Sequence, residues 1–190
     1  MTEDQILIVD CGSRVDSIQR IVSDVRFKSR VLVLRELSKL KDDKWAGVII
    51  SGSPILFTET TPHDEILRPF GFALTGRCPV LGICFGHQVI GLLHDATVFR
   101  GTEIRANQIV KVVKSNCLFE GLETSLSVKE DHCEGITLPE QFLLLATSEN
   151  YNVEAMKHRE KDLYGVQFHP EASGEVGHKI VTNFLTLCGN

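Results

Sequence analysis

The chain is missing several things that would have assigned it quickly. No apolar stretch approaches the roughly 20 residues that a membrane-spanning helix requires, so no membrane is expected as a partner. Positive charge is not in excess: 20 Lys and Arg stand against 25 Asp and Glu, a formal net charge of -5. That balance gives no reason to expect nucleic acid. The six cysteines, Cys11, Cys78, Cys84, Cys117, Cys133 and Cys188, include no Cys-x-x-Cys pair, which removes zinc-ribbon and thioredoxin-type readings. A Walker-type phosphate loop is absent, as are internal repeats, low-complexity tracts and linkers. The acidic opening, Met1 to Asp4, is unlike a secretion signal. These absences leave a cytoplasmic chain with reduced thiols, expected to form a single domain over residues 1–190.

What is present begins with alternation. Ile6–Asp10, Arg30–Leu34, Gly47–Ser51 and Val80–Cys84 are short apolar runs that predict strands. Between them, apolar residues at helical spacing predict a helix over Arg14–Phe27, with Ser13 as its cap. A second helix is expected over His63–Thr75, opened by Pro62 and closed by Gly76, and a third over Gly86–Leu93. Near-continuous apolar strands separated by helices imply a parallel sheet covered on both faces. The second half changes character. Thr97–Phe99, Gln108–Val113, Leu126–Lys129, Phe142–Ala146, Val153–Met156 and Tyr164–Phe168 read as strands with few helices between, an antiparallel extension, before a closing helix over Val176–Leu187.

The fourth apolar run ends in Gly82-Ile-Cys84-Phe-Gly86. This is the nucleophile-elbow pattern with a thiol in place of serine, a sharp strand-to-helix turn relieved by glycines two positions to either side. The turn places Cys84 at a helix N-terminus, which predicts a thiol biased toward thiolate. Cys84 and His87 also stand three apart, as metal ligands do, but no second pair follows at a useful spacing, and no metal or other cofactor is expected. Gly165-Val-Gln-Phe-His169-Pro-Glu171 supplies a base and its orienter. His169 would take the thiol proton, and Glu171 would fix the imidazole. An acyl-transfer site also needs oxyanion donors. The N–H of Phe85 follows from the elbow, and Gly52-Ser53-Pro54, closing the third strand, is the candidate for the second.

Together these motifs resemble the class I glutamine amidotransferases of the Cys-His-Glu type, over nearly the whole chain. Within the class the similarity is greatest to the glutaminase domain or subunit of GMP synthase. It is carried by Ile6-Leu-Ile-Val-Asp10-Cys-Gly12-Ser13, by Gly47 to Pro54, by Gly82 to Gln88, and by Glu154-Ala-Met-Lys-His158 with Leu163 to Glu171. The resemblance implies a flavodoxin-like α/β fold with a mixed, mostly parallel sheet. It also implies hydrolysis of L-glutamine through a cysteinyl thioester, with ammonia passed to a separate ATP-pyrophosphatase synthetase that converts XMP to GMP. By the same resemblance Gln88 helps hold the substrate, and Asp131-His132 stands where a Ser-His pair contacts the amino-acid end of glutamine.

Several positions depart from the family pattern. Ser53 replaces a glycine, Lys129 an aromatic residue, Asp131 a serine, Glu134 an aspartate, and Arg14 a glutamine. A carboxylate at 131 would repel the substrate's own carboxylate. Three further readings therefore stand beside the leading one. The chain could be a γ-glutamyl hydrolase that channels no ammonia, a catalytically silent binding module, or a redox sensor built on Cys84.

Overall fold

A computed structural model describes residues 5–39 and 44–189; Met1 to Asp4, read above as an acidic opening, lie outside the described residues. The elements run β1 (Gln5–Asp10), α1 (Val15–Asp24), β2 (Lys28–Val33), β3 (Gly47–Ile50), α2 (Asp64–Leu67), β4 (Val80–Ile83) and α3 (Phe85–Leu92). There follow β5 (Val98–Ile104), β6 (Asn107–Val112), β7 (Ser125–Lys129), β8 (His132–Ile136), β9 (Phe142–Thr147), β10 (Ala155–His158), β11 (Leu163–Val166) and α4 (Gly174–Cys188).

Nine strands form one sheet in the order β2-β1-β3-β4-β11-β10-β9-β6-β7, and β5 and β8 pair separately. The pairs from β2 across to β11 are parallel, and those from β11 to β7 are antiparallel. This is the expected mixed sheet with its antiparallel extension. Alternation along β1 shows how it is covered. Ile6 and Ile8 pack with Ile18, Val22 and Phe184 from α1 and α4, whereas Leu7 and Val9 pack with Phe85, Val89 and Ile90 from α3. Every apolar side chain of β1 therefore leaves water, each contributing on the order of 1.5–3 kcal/mol.

The sequence reading needs correction at several boundaries, each for an identifiable reason. Helix α1 ends at Asp24, three residues early. Arg26 takes a left-handed conformation, φ 66, and the N–H groups of Arg26 and Phe27 return to the carbonyls of Ser23 and Val22. That is a Schellman ending built without glycine, so no glycine announced it. Ser13 is not the cap: Arg14 occupies that position, φ 52, with no side-chain capping bond. The helix expected over His63–Thr75 is a four-residue α2 followed by a 3-10 stretch, Arg68–Leu74. Pro69 lacks the N–H that an α-helical turn would need there. The first strand of the second half runs on to Ile104, and β10 begins only at Ala155, beside a register shift. Strand β8, His132–Ile136, was not foreseen: its sequence is polar and interrupted by Gly135. It is buried because Gly135 and the His132 ring pack against Tyr151.

Helix α4 packs closely on the segment after β11. A Cβ on Gly177 would overlap the carbonyl of Pro170 and stand 2.6 Å from its carbon. Gly177→Ala should push α4 off Pro170 and lower stability by about 3 kcal/mol. Thermal unfolding of the variant beside wild type checks this, and an unchanged midpoint would contradict the packing described.

Candidate functional site

β3 and β4 end side by side at the carboxyl edge of the parallel half-sheet, where open α/β sheets place their ligands. Cys84 follows β4 at φ 50 and ψ -101, outside the regions that a residue with a side chain ordinarily occupies. The neighbouring glycines are required by contact. A Cβ on Gly82 would overlap the Gly86 carbonyl and lie 2.7 Å from His87 N, and one on Gly86 would lie 2.5 Å from Ile50 O. The strained turn is held at both ends, since Cys84 N–H donates to Val166 O at 2.8 Å and Gln88 N–H to Cys84 O at 3.1 Å.

His169 comes from the segment after β11. Its N–H donates to Lys129 O at 2.8 Å, and Ser173 Oγ donates to its carbonyl at 2.7 Å. The ring therefore has a fixed backbone behind it. Its Nδ1 lies 2.6 Å from Glu171 Oε1, with both side chains buried. The carboxylate accepts the Nδ1 proton, which leaves Nε2 as the basic nitrogen.

Cys84 and His169 line one cavity of about 400 Å3, together with Ser53, Phe85, Gln88 and Asp131. Gly52 abuts the histidine: a Cβ there would stand 2.8 Å from His169 Cε1. The Phe85 N–H points at the Cys84 sulfur and pulls its pKa down. Gln88 Nε2 makes only long bonds, 3.4 Å each, to Glu134 O and Gln167 Oε1. His132 also reaches the cavity, with Nδ1 donating to Glu134 O at 2.8 Å and Nε2 2.7 Å from Glu130 Oε2. The structure thus brings together every residue that the sequence singled out for chemistry.

At Cys84 the pull toward thiolate expected from the helix N-terminus is opposed: burial pushes the thiol pKa up, and the charge of Glu171 adds to that, against the smaller pull of the Phe85 N–H. Burial of the sulfur works against the thiolate that a helix N-terminus favours. His87 is buried beneath the elbow against Gly165, and burial lowers its pKa to about 3. It is neutral packing beside Cys84. All six cysteines are free, and burial pushes Cys11 and Cys188 up to about 12.

Two features escaped the sequence reading. Glu134 is buried and clamps the loop after β3, accepting from Phe57 N at 3.0 Å, Thr58 N at 2.8 Å and Thr58 Oγ1 at 2.5 Å. Beneath it lie Glu130, His132 and Glu154, a group with metal-ligand chemistry whose ligand atoms fall within 4.8 Å of one another. Both His132 nitrogens are engaged, and Glu154 meets Glu130 carboxyl to carboxyl while accepting from Ser148 Oγ at 2.6 Å. Burial, then the charge of Glu130, pushes Glu154 up to about 9.

The comparisons with known proteins agree with this geometry. Residues 7–188 match the family model for glutamine amidotransferase class-I. The glutamine-hydrolyzing GMP synthase subunit of Pyrococcus furiosus is 36% identical over 189 residues, covering 97% of this chain and 98% of that protein. Its namesake from Methanocaldococcus jannaschii is 36% identical over 192 residues, covering 97% of each. Among solved structures, a Thermoplasma acidophilum protein described as a GMP synthase subunit superposes with a TM-score of 0.86 at 28% identity, covering 97% of this chain and 94% of that one.

The Glu130–Glu154 contact makes stability depend on pH. Unfolded, Glu154 loses its proton near 4.5; folded, it keeps it to about 9. Between these values the folded state binds more protons, so stability falls as pH rises, by up to about 1.4 kcal/mol per pH unit. Glu154→Gln should flatten that fall. Unfolding midpoints from pH 5 to 9 measure it, and parallel slopes for variant and wild type would contradict the raised pKa of Glu154.

Proposed function

The chain belongs to the class I glutamine amidotransferases, and we infer that it is a glutamine-hydrolysing enzyme supplying ammonia to a GMP synthase. The reading is carried by one observation: a strained cysteine elbow and a Glu-oriented histidine open into the same cavity. Relatives named as glutamine-hydrolyzing subunits of GMP synthase, matched along nearly their full length, support the same assignment. They also support a separate synthetase protein as partner. Among the described residues no helix is long and apolar enough to cross a membrane, and the proposed place of action is the cytoplasm.

The reaction uses the chain's own groups. L-glutamine enters with its side-chain amide against Cys84. His169 Nε2 takes the thiol proton as the sulfur attacks the amide carbon. The tetrahedral oxyanion is held by the N–H of Phe85 and by the N–H groups of the Gly52–Ser53 turn. Glu171 stabilises the charged imidazole. His169 then returns its proton to the departing nitrogen, the carbon–nitrogen bond breaks, and ammonia leaves. Water, deprotonated by His169, attacks the thioester, and glutamate is released as the thiol re-forms. Gln88 and the Asp131–His132 turn hold the rest of the substrate.

Release of glutamate from glutamine, with and without a GMP-synthetase partner, tests the assignment. Cys84→Ala should abolish release in a folded protein. Glu171→Gln should reduce kcat by about two to four orders of magnitude, less than loss of the nucleophile, since it disturbs orientation and charge and leaves bond making intact. Partner-stimulated release supports the ammonia-donating role. Equal activity of wild type and Cys84→Ala would overturn the nucleophile. Steady partner-free turnover of bulkier γ-glutamyl amides would favour the γ-glutamyl hydrolase.

A further inference from the structure

Two departures from the family pattern, Arg14 and Asp131, touch each other. Arg14 Nη2 lies 2.6 Å from Asp131 Oδ2, across 117 residues of sequence. Asp131 lines the cavity that holds Cys84 and His169, and its side chain remains 34% exposed. Its other oxygen, Oδ1, has Arg105 Nε at 4.0 Å, beyond hydrogen-bond reach, and that nitrogen already donates to Glu103 at 2.8 Å. Oδ1 thus has unused acceptor capacity.

The carboxyl at 131 is an anion at neutral pH. Partial burial pushes its pKa up, but the hydrogen bond and charge of Arg14, with His169 and Arg105 behind, outweigh that and hold it below the ordinary value. An isolated carboxylate in this wall would repel a substrate that carries one. Arg14 cancels the net charge and leaves an acceptor oxygen in place. Arg100 and Arg105 line the same cavity, so acceptor and cations stand on one rim. An α-amino acid presents the complementary pair, ammonium and carboxylate on one carbon, a few bonds from the amide that must reach Cys84.

Resting on the glutaminase reading, we propose that Asp131 Oδ1 receives the α-ammonium group of the substrate, with Arg14 as the positioning residue that fixes the Asp131 carboxylate. What looked like a substitution hostile to glutamine becomes a contact that selects for a free amino acid. A charge-assisted hydrogen bond of this kind corresponds to about tenfold or more in binding.

The test compares L-glutamine with 4-carbamoylbutanoate, which is glutamine without its α-ammonium group, as substrates of the complex with the synthetase. Wild type should show a KM at least about tenfold higher for 4-carbamoylbutanoate. Asp131→Asn should raise the KM for glutamine by a similar factor, leave kcat within about twofold, and erase the preference between the two amides. Arg14→Gln should raise the same KM by a smaller factor. Calorimetric titration of glutamine into Cys84→Ala and Cys84→Ala/Asp131→Asn gives the binding difference without turnover, and circular dichroism shows whether each variant folds. An unchanged preference in Asp131→Asn, or tighter glutamine binding, would overturn the ammonium receptor and leave the glutaminase standing. Wild type that releases ammonia from neither amide, folded and with its partner, would overturn both.

Discussion

Backbone crowding at the end of β4 is the constraint on which the rest of this structure depends. The chain reverses there with Gly82 against the carbonyl of Gly86, and Gly86 against Ile50 at the end of β3. Residues 82 and 86 have no room for a side chain, and residue 84 has no relaxed conformation. Such a turn survives only where its surroundings over-determine it. Here they do: β4 lies between β3 and β11, Val166 receives the Cys84 N–H, and α3 is buried along nearly its whole length. The same pairing brings the segment after β11 beside the elbow, so that one set of parallel contacts both holds the turn and delivers His169.

A second layer of control is electrostatic. The antiparallel half adds Ile136, Phe142 and Met156 to the apolar core around α3, and it also carries polar groups of the cavity wall. Glu130 and His132 flank Asp131 in the turn between β7 and β8, and Glu154 precedes β10. Glu134 ties this region to the loop after β3 through two backbone N–H groups and a hydroxyl. Buried carboxylates are costly unless fully satisfied. Burial beside Glu130 pushes the Glu154 pKa up, which favours its neutral form and lowers that cost.

Much of this was legible in the sequence, for local reasons. The elbow is written in glycine spacing because its constraint acts within five residues. The parallel strands are written in apolar runs because both faces of the sheet are covered. His169 and Glu171 were legible because base and orienter share one short segment. Other features arise from contacts that no local pattern records. Strand β8 is buried through Gly135 and Tyr151, far apart in the chain. The ending of α1 used Arg26 where glycine is usual. Arg14 and Asp131 looked like two unrelated anomalies until the fold paired them. The depth at which Cys84 is buried, which opposes the thiolate that its helix terminus favours, is likewise written in no local pattern.

That burial has a bearing on how the molecule endures between turnovers. Oxidants and electrophiles consume the thiolates that they can reach, so a sulfur on a residue only 5% exposed is shielded from peroxide by its surroundings. What does reach it comes by way of the cavity that Cys84 lines with His169. Selectivity of this kind needs no gate. It is a property of where the sulfur sits, and it protects an atom that every turnover regenerates.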